Sequence, residues 1–281
     1  MMGWKTFRHF WGHVRARELG LHAQALAFSL LFALGPLLLV LAAELSHFHE
    51  PARRALFAGP LNSLVAPALK PLLFSAAGHL TPSHRRALLS LGIGGFLWAM
   101  TNAMRQIMRT LSPNGAAANH PRAWGQAIVR PAAVGLTVGI LMIIAESLMA
   151  IGPHLLRRGI IQALGPSVAP WAAEVARWIA VVGILWIILT FIYSGLARPA
   201  PRFRWWTPGS AVVTPAWILL SWGFVFYTTH WATTETLYGS LGAVILLMIY
   251  LNILSYALLM GGELNRFIAQ ARSKMRQHRD D

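Results

Sequence analysis

The sequence predicts an all-α integral membrane protein of six transmembrane helices in one polytopic domain, residues 1–281, with both termini cytoplasmic. Three observations predict it. The 281 residues are 56% hydrophobic and only 12% charged, about half the charged share a soluble domain carries; mean hydropathy is +0.53. Six runs meet the length needed to cross a bilayer, about 20 mainly apolar residues. The basic residues gather at the ends of those runs. An ordinary soluble enzyme, a disordered chain and a secreted mini-protein are thereby excluded. A net charge of +15 on an aqueous surface would suggest nucleic acid. At helix ends it suits membrane lipids instead, anionic ones above all, and no nucleic-acid partner is expected. Cysteine is absent, so no disulfide, thiolate metal site or cysteine nucleophile exists.

Residues 1–20 form an expected amphipathic N-terminal helix: Trp4, Phe7, Trp11 and Val14 recur at helical spacing, with Lys5, Arg8 and Arg15 off that stripe. Such a helix lies in the headgroup layer. The six-helix bundle then occupies 21–265. Its first run, Leu21–Leu45, is longer than the apolar core of a secretory signal and is read as a retained helix. Pro36, beside Gly35, frees a backbone carbonyl there, which a membrane helix tolerates only against protein or a cavity. The first outer loop, Ser46–Arg86, is expected to be partly helical, because Leu61, Leu64, Val65, Leu69, Leu72 and Leu73 make a stripe broken by Pro67 and Pro71. It is either an outer lid or re-entrant element, or a helix on the bilayer surface.

The second run, Ala87–Met108, is thinned by Gly92, Gly94 and Gly95. At its far end Asn102, Arg105, Gln106 and Arg109 share one helix face by their spacing of three, four and seven. The third, Ala132–Ile151, carries a Gly135/Gly139 pair that permits close helix approach. It also carries Glu146, a carboxylate that must face the bundle interior, a partner or water. Val175–Leu196, Gly209–Tyr227 (with Pro215 early in it) and Gly242–Met260 complete the set, and 266–281 is a basic cytoplasmic tail. With the N-terminus inside, sixteen of the 24 basic residues fall on cytoplasmic segments, and the last outer loop, Thr228–Leu241, has none. This is the positive-inside pattern.

Motifs for chemistry are missing. Aspartate occurs only at Asp280 and Asp281, the seven glutamates are isolated, and the eleven histidines do not cluster. There is no zinc-protease helix, nucleophile elbow or phosphate loop. No catalytic residue, metal site or cofactor is expected.

The apolar runs also carry a resemblance. HAQALAFSLLFALGPLLLVLAAEL from His22 to Leu45 looks like the first helix of the YihY/BrkB family of bacterial inner-membrane proteins. Tyr193 and Pro199, TPGSAVVTPAWILLSWGFVFYTTHW from Thr207, and LYGSLGAVILLMIYLNILSYALLMGGELN from Leu237 follow that family's order of motifs. The most telling positions are Tyr238, Gly239 and Gly242, then Gly262, Glu263 and Asn265. The sequence departs at Ile249-Tyr250, where members usually carry tryptophan, and at Gly262, where alanine is usual. The resemblance implies six inner-membrane helices with cytoplasmic ends. It also implies an association with serum resistance and with envelope lipid or lipopolysaccharide export. The family's old label, ribonuclease BN, is a misassignment, and no nuclease chemistry is present here.

The function expected is a transporter or flippase of an anionic lipid or amphiphile in the bacterial inner membrane. Its path would be Gln24, Pro36, Asn102, Arg105, Gln106 and Arg109, with Glu146 at the outer exit. A homo-oligomer or an envelope protein partner is compatible with it. The alternatives are a non-transporting scaffold and, least favoured, a membrane hydrolase using Ser147 and Glu146, whose adjacent positions point about 100° apart. If Glu146 is coupled to transport, neutralising it abolishes gradient-driven flux and leaves the protein folded. Unchanged flux removes it from the mechanism.

Overall fold

The computed structural model describes residues 18–46, 81–111, 128–142, 169–196, 206–230 and 240–280, and singly 12, 144, 145 and 148. All elements among the described residues are helices: α1 Leu19–Leu45, α2 Pro82–Leu111, α3 Ile128–Met142, α4 Ala169–Leu196, α5 Pro208–His230 and α6 Ser240–Asp280. Five of them are long and apolar enough to cross a membrane. The described part of α3 runs to Met142, and the rest of the third expected span lies largely outside the described residues. Ile144, Ala145 and Leu148 are again helical. The N-terminal amphipathic stretch, the outer-loop stripe, Glu146, Tyr238 and Gly239 lie outside the described residues. The last helix does not stop at Met260 but runs unbroken to Asp280, because the residues after Asn265 are mostly good helix formers with no proline.

Helix starts follow a repeated chemical rule. Thr81-Pro82 and Thr207-Pro208 each place threonine at the cap and proline at the first helical position, where its missing N–H costs nothing. The His84 amide donates to Thr81 Oγ1 (3.4 Å) and the Arg85 amide to the Thr81 carbonyl (2.9 Å). At α5 every early amide is accounted for. Ser210 N–H donates to Thr207 Oγ1 (3.1 Å) and Ala211 N–H to the Thr207 carbonyl (3.1 Å). Gly209 N–H donates to the Asn265 side-chain oxygen of α6 (2.6 Å). A helix end left without such partners would be costly to bury.

The chain divides into two units. In the first (Met1–Leu31, Met100–Gly135, Trp186–Asp281), α5 and α6 run antiparallel. The Trp217 indole donates to the Leu254 carbonyl (3.0 Å), and Ser221 Oγ lies 2.8 Å from Tyr250 Oη. Their closest approach is at Gly209 and Gly261. A Cβ on Gly209 would collide with the Gly261 carbonyl, and one on Gly261 with Val213 and the Tyr193 hydroxyl. Gly262 leaves room for Leu111 of α2 in the same way, so the position where alanine is usual in the family is here filled by a neighbour's side chain. Gly135 does so for Met100, whose Cγ a Cβ would meet at 2.8 Å.

The second unit (Phe32–Ala99, Leu136–Leu185) uses the same device with alanine and glycine. Ala33, Ala42, Ala43, Ala99 and Ala173 are its buried apolar residues together with Leu45 and Val138. Pro36 sits against the Gly92–Gly95 face of α2: a Cβ on Gly95 would meet its ring at 3.0 Å and one on Gly92 its carbonyl oxygen at 2.9 Å. Large side chains point the other way. Leu91 and Ile179 are each 67% exposed, and in the first unit Leu219 is 68% and Trp222 69% exposed. In water such surfaces would aggregate; in lipid they are the solvated face, and small residues take the interfaces.

Replacing Gly261 or Gly209 by alanine should each cost about 1–3 kcal/mol, the usual penalty of overpacking. Gly183→Ala, with open space around it, should be neutral or stabilising by up to about 1 kcal/mol. Asn265→Ala should cost about 1–3 kcal/mol by orphaning the Gly209 amide. Denaturant unfolding in detergent, followed by helix content, checks all four.

Candidate functional site

The site gathers at the basic ends of the first unit's helices, and it begins with which charges are already spent. Arg130 of α3 donates through Nε to the Gly195 carbonyl (2.6 Å), in the last turn of α4, where a cation answers both an orphan carbonyl and the helix dipole. Val134, one turn on, packs where a Gly195 Cβ would be (3.0 Å). Arg266 pairs with Glu263 at 3.1 Å, one turn earlier on α6, and that carboxylate is 2% exposed. Burial of a carboxylate at a helix interface demands such a partner. The Tyr193 hydroxyl donates to the Leu258 carbonyl (2.8 Å) beside Gly261. Arg177, in the second unit, is likewise taken, by Glu174, which also accepts from the Trp178 indole (2.9 Å).

At this end of the first unit two guanidinium groups are not spent on the described residues. On α2, Asn102, Arg105 and Gln106 are half-buried and Arg109 is exposed. The Gln106 amide donates to His22 Nδ1 of α1 at 3.1 Å. Arg105 and Arg109 make no hydrogen bond or ion pair with the described residues. Four residues apart, they are neighbours on one face, about 6 Å along the axis. The ends of a lipid phosphate, or two anionic groups of one headgroup, would suit that spacing, since guanidinium binds phosphate through a planar fork of donors.

The other residues of the expected path do not all join this ridge. Gln24 is exposed on α1, although it is two residues from His22. Pro36 is seated on α2's glycine face in the second unit and is described there. Of the family-motif positions, Gly242, Gly262 and Glu263 are buried and Asn265 is half-buried as the cap of α5. His22, Arg130 and Tyr193 were not among the expected site residues. The first two look like ordinary basic-region residues in sequence, and only the fold reveals their partners. Among the described residues, no group of three or more histidines and acids could hold a metal ion.

A family model described as virulence factor BrkB matches residues 10–281. A ribonuclease-like protein, YfkH, of Bacillus subtilis (strain 168) is 30% identical over 212 residues, covering 72% of this chain and 74% of that protein. A UPF0761 membrane protein of Xanthomonas campestris pv. campestris (strain B100) is 28% identical over 94 residues, 34% of this chain and 22% of that protein. No solved structure matches the chain. With the family model covering nearly its whole length and five helices fit to cross a bilayer, this chain is a multi-pass membrane protein of the BrkB family.

Proposed function

We propose that this protein moves an anionic lipid or related amphiphile across the bacterial inner membrane. The observation that carries the reading is the pair of unspent guanidinium groups, Arg105 and Arg109, on one face at the end of α2. Arg130, Arg177 and Arg266 hold a carbonyl or a carboxylate, whereas these two have charge to offer a ligand. Their role is to gather the headgroup at the cytoplasmic leaflet. Asn102 and Gln106 continue the polar ridge inward, Gln24 and Pro36 belong to the path, and Glu146 stands at its outer exit. The proposal includes six spans, the third completed beyond Met142, with both ends cytoplasmic. Without a nucleotide-binding motif, the driving force is an ion gradient, a partner or the lipid gradient itself.

A second reading has its own support. Gln106, Tyr193, Arg130 and Asn265 are each held by a neighbouring helix, as polar residues that glue a static bundle are. On that reading the protein is a scaffold for envelope partners, and Asn102→Leu changes stability and not flux.

Leaflet exchange of labelled phosphatidylglycerol in liposomes separates them, with empty liposomes and a Glu146→Ala variant alongside. The transporter reading expects faster exchange with protein. Each basic residue near an anionic surface contributes about 1 kcal/mol, so the Arg105→Gln/Arg109→Gln double variant should lose about 30-fold in preference for phosphatidylglycerol over phosphatidylcholine. Exchange no faster than in empty liposomes excludes a free-running scramblase and moves the scaffold ahead. Because the chain has no cysteine, single cysteines test the topology. Those at Ser112 and Gln277 should label only from the cytoplasmic side, and one at Thr233 only from outside.

A further inference from the structure

Among the described residues of the first unit, three hydroxyl groups are buried and have no hydrogen-bond partner: Thr190 on α4, Thr214 on α5 and Ser255 on α6. They are 1%, 2% and 1% exposed. A serine or threonine inside a helix ordinarily bonds back to the carbonyl one turn earlier. Their neighbours do: Ser194 Oγ donates to the Thr190 carbonyl (2.7 Å), and Thr110 Oγ1 to the Gln106 carbonyl (3.0 Å). Three orphans on three helices of one bundle therefore ask for an explanation, since a buried unsatisfied hydroxyl costs about as much as a lost hydrogen bond or more.

Their register along the helices puts them at a similar level. Thr214 is fixed between two points of the α5–α6 crossing: its neighbour Val213 faces Gly261, and Trp217, three residues on, bonds the Leu254 carbonyl. Ser255 follows Leu254. Thr190 and Ser255 each lie three residues, about 4.5 Å of helix rise, before the two partners of the Tyr193–Leu258 hydrogen bond.

We infer that Thr190, Thr214 and Ser255 converge on an internal hydration site that holds ordered water between α4, α5 and α6. The ligand class follows from proton bookkeeping. Each hydroxyl has one proton that needs an acceptor, and it also has lone pairs. One water accepts two protons and donates two, and buried waters usually make about three hydrogen bonds, so the three hydroxyl protons need two waters bonded to each other. A monovalent cation would take the lone pairs and leave three hydroxyl protons with nowhere to go. The site stands independently of the lipid-transport reading.

Linked substitutions that keep shape test it: Thr190→Val, Thr214→Val, Ser255→Ala, the three pairs and the triple, each melted in detergent. Groups sharing one small water cluster are coupled. Each single change should lower the melting temperature by about 2–4 °C, the scale of one lost hydrogen bond in a chain of this size, and the second and third changes should cost much less than the first. Three changes that each raise the melting temperature and simply add would overturn the inference, because that is the signature of independent unsatisfied groups. A second readout uses the unaltered protein. Radiolytic hydroxyl-radical labelling should oxidise the buried Leu258 and Val213 promptly from the adjacent water, while the equally buried Leu26 and Ile107 stay unmodified. No labelling at Leu258 and Val213 contradicts a hydrated site. A melting temperature that rises with sodium chloride, but not with choline chloride, and loses that response in Thr214→Val would replace water by a cation.

Discussion

Where α5 crosses α6 there is no side chain between the two backbones at Gly209 and Gly261, and much else follows from that absence. Because the helices touch there, Asn265 reaches across to receive the Gly209 amide and closes the last open donor of α5. Because Gly261 carries no Cβ, the Tyr193 ring of α4 can lay its hydroxyl on the Leu258 carbonyl. Gly262, on the next position, admits Leu111 and so brings α2 against the same helix. In a bilayer no hydrophobic effect drives helices together, and contact area with backbone-level closeness must supply the attraction. Two adjacent glycines on α6 thus organise three neighbouring helices, and the polar bonds follow the packing.

The capping of α5 also bears on how an anion could be recognised. A helix N-terminus is a common phosphate site, since its free amides and dipole favour negative charge. Here Thr207 and Asn265 have already taken those amides. Attraction for an anion rests instead on side chains, and of those at the basic ends Arg130 and Arg266 are committed to a carbonyl and a carboxylate. Binding through exposed guanidinium groups is electrostatic and salt-sensitive, and it tolerates varied headgroups better than a cradle of backbone amides would.

Much of this architecture was legible in the sequence, for physical reasons that differ by element. Long apolar runs have few other uses, so the positions of α1, α2, α4, α5 and α6 follow from composition and length. The Gly135/Gly139 spacing correctly marked a close contact, which α2 fills with Met100 and Phe96. The end of α6 was not legible: apolar character fades at Met260 while helix propensity continues, and hydropathy measures only the former. Site residues were least legible. Arg105 and Arg109 stood out by spacing, but only the fold shows that no described residue takes their charges. His22 and Arg130 looked like generic basic residues, and the isolation of Thr190, Thr214 and Ser255 depends on rotamers and neighbours that no one-dimensional pattern encodes.

The 41-residue α6 is about 60 Å long at 1.5 Å per residue, twice the hydrocarbon thickness. Its fixed point is near one-half of that length, where Gly261 and Gly262 are gripped by α5, α4 and α2. That geometry makes α6 a lever with a fulcrum. From Gly262 to Asp280 the arm is about 27 Å, so a tilt of about 10° at the crossing swings its tip by about 5 Å. A small rearrangement of packing at two glycines is thereby converted into a displacement of atomic-contact size at the far end, and a load applied to the arm is returned to the crossing with mechanical advantage.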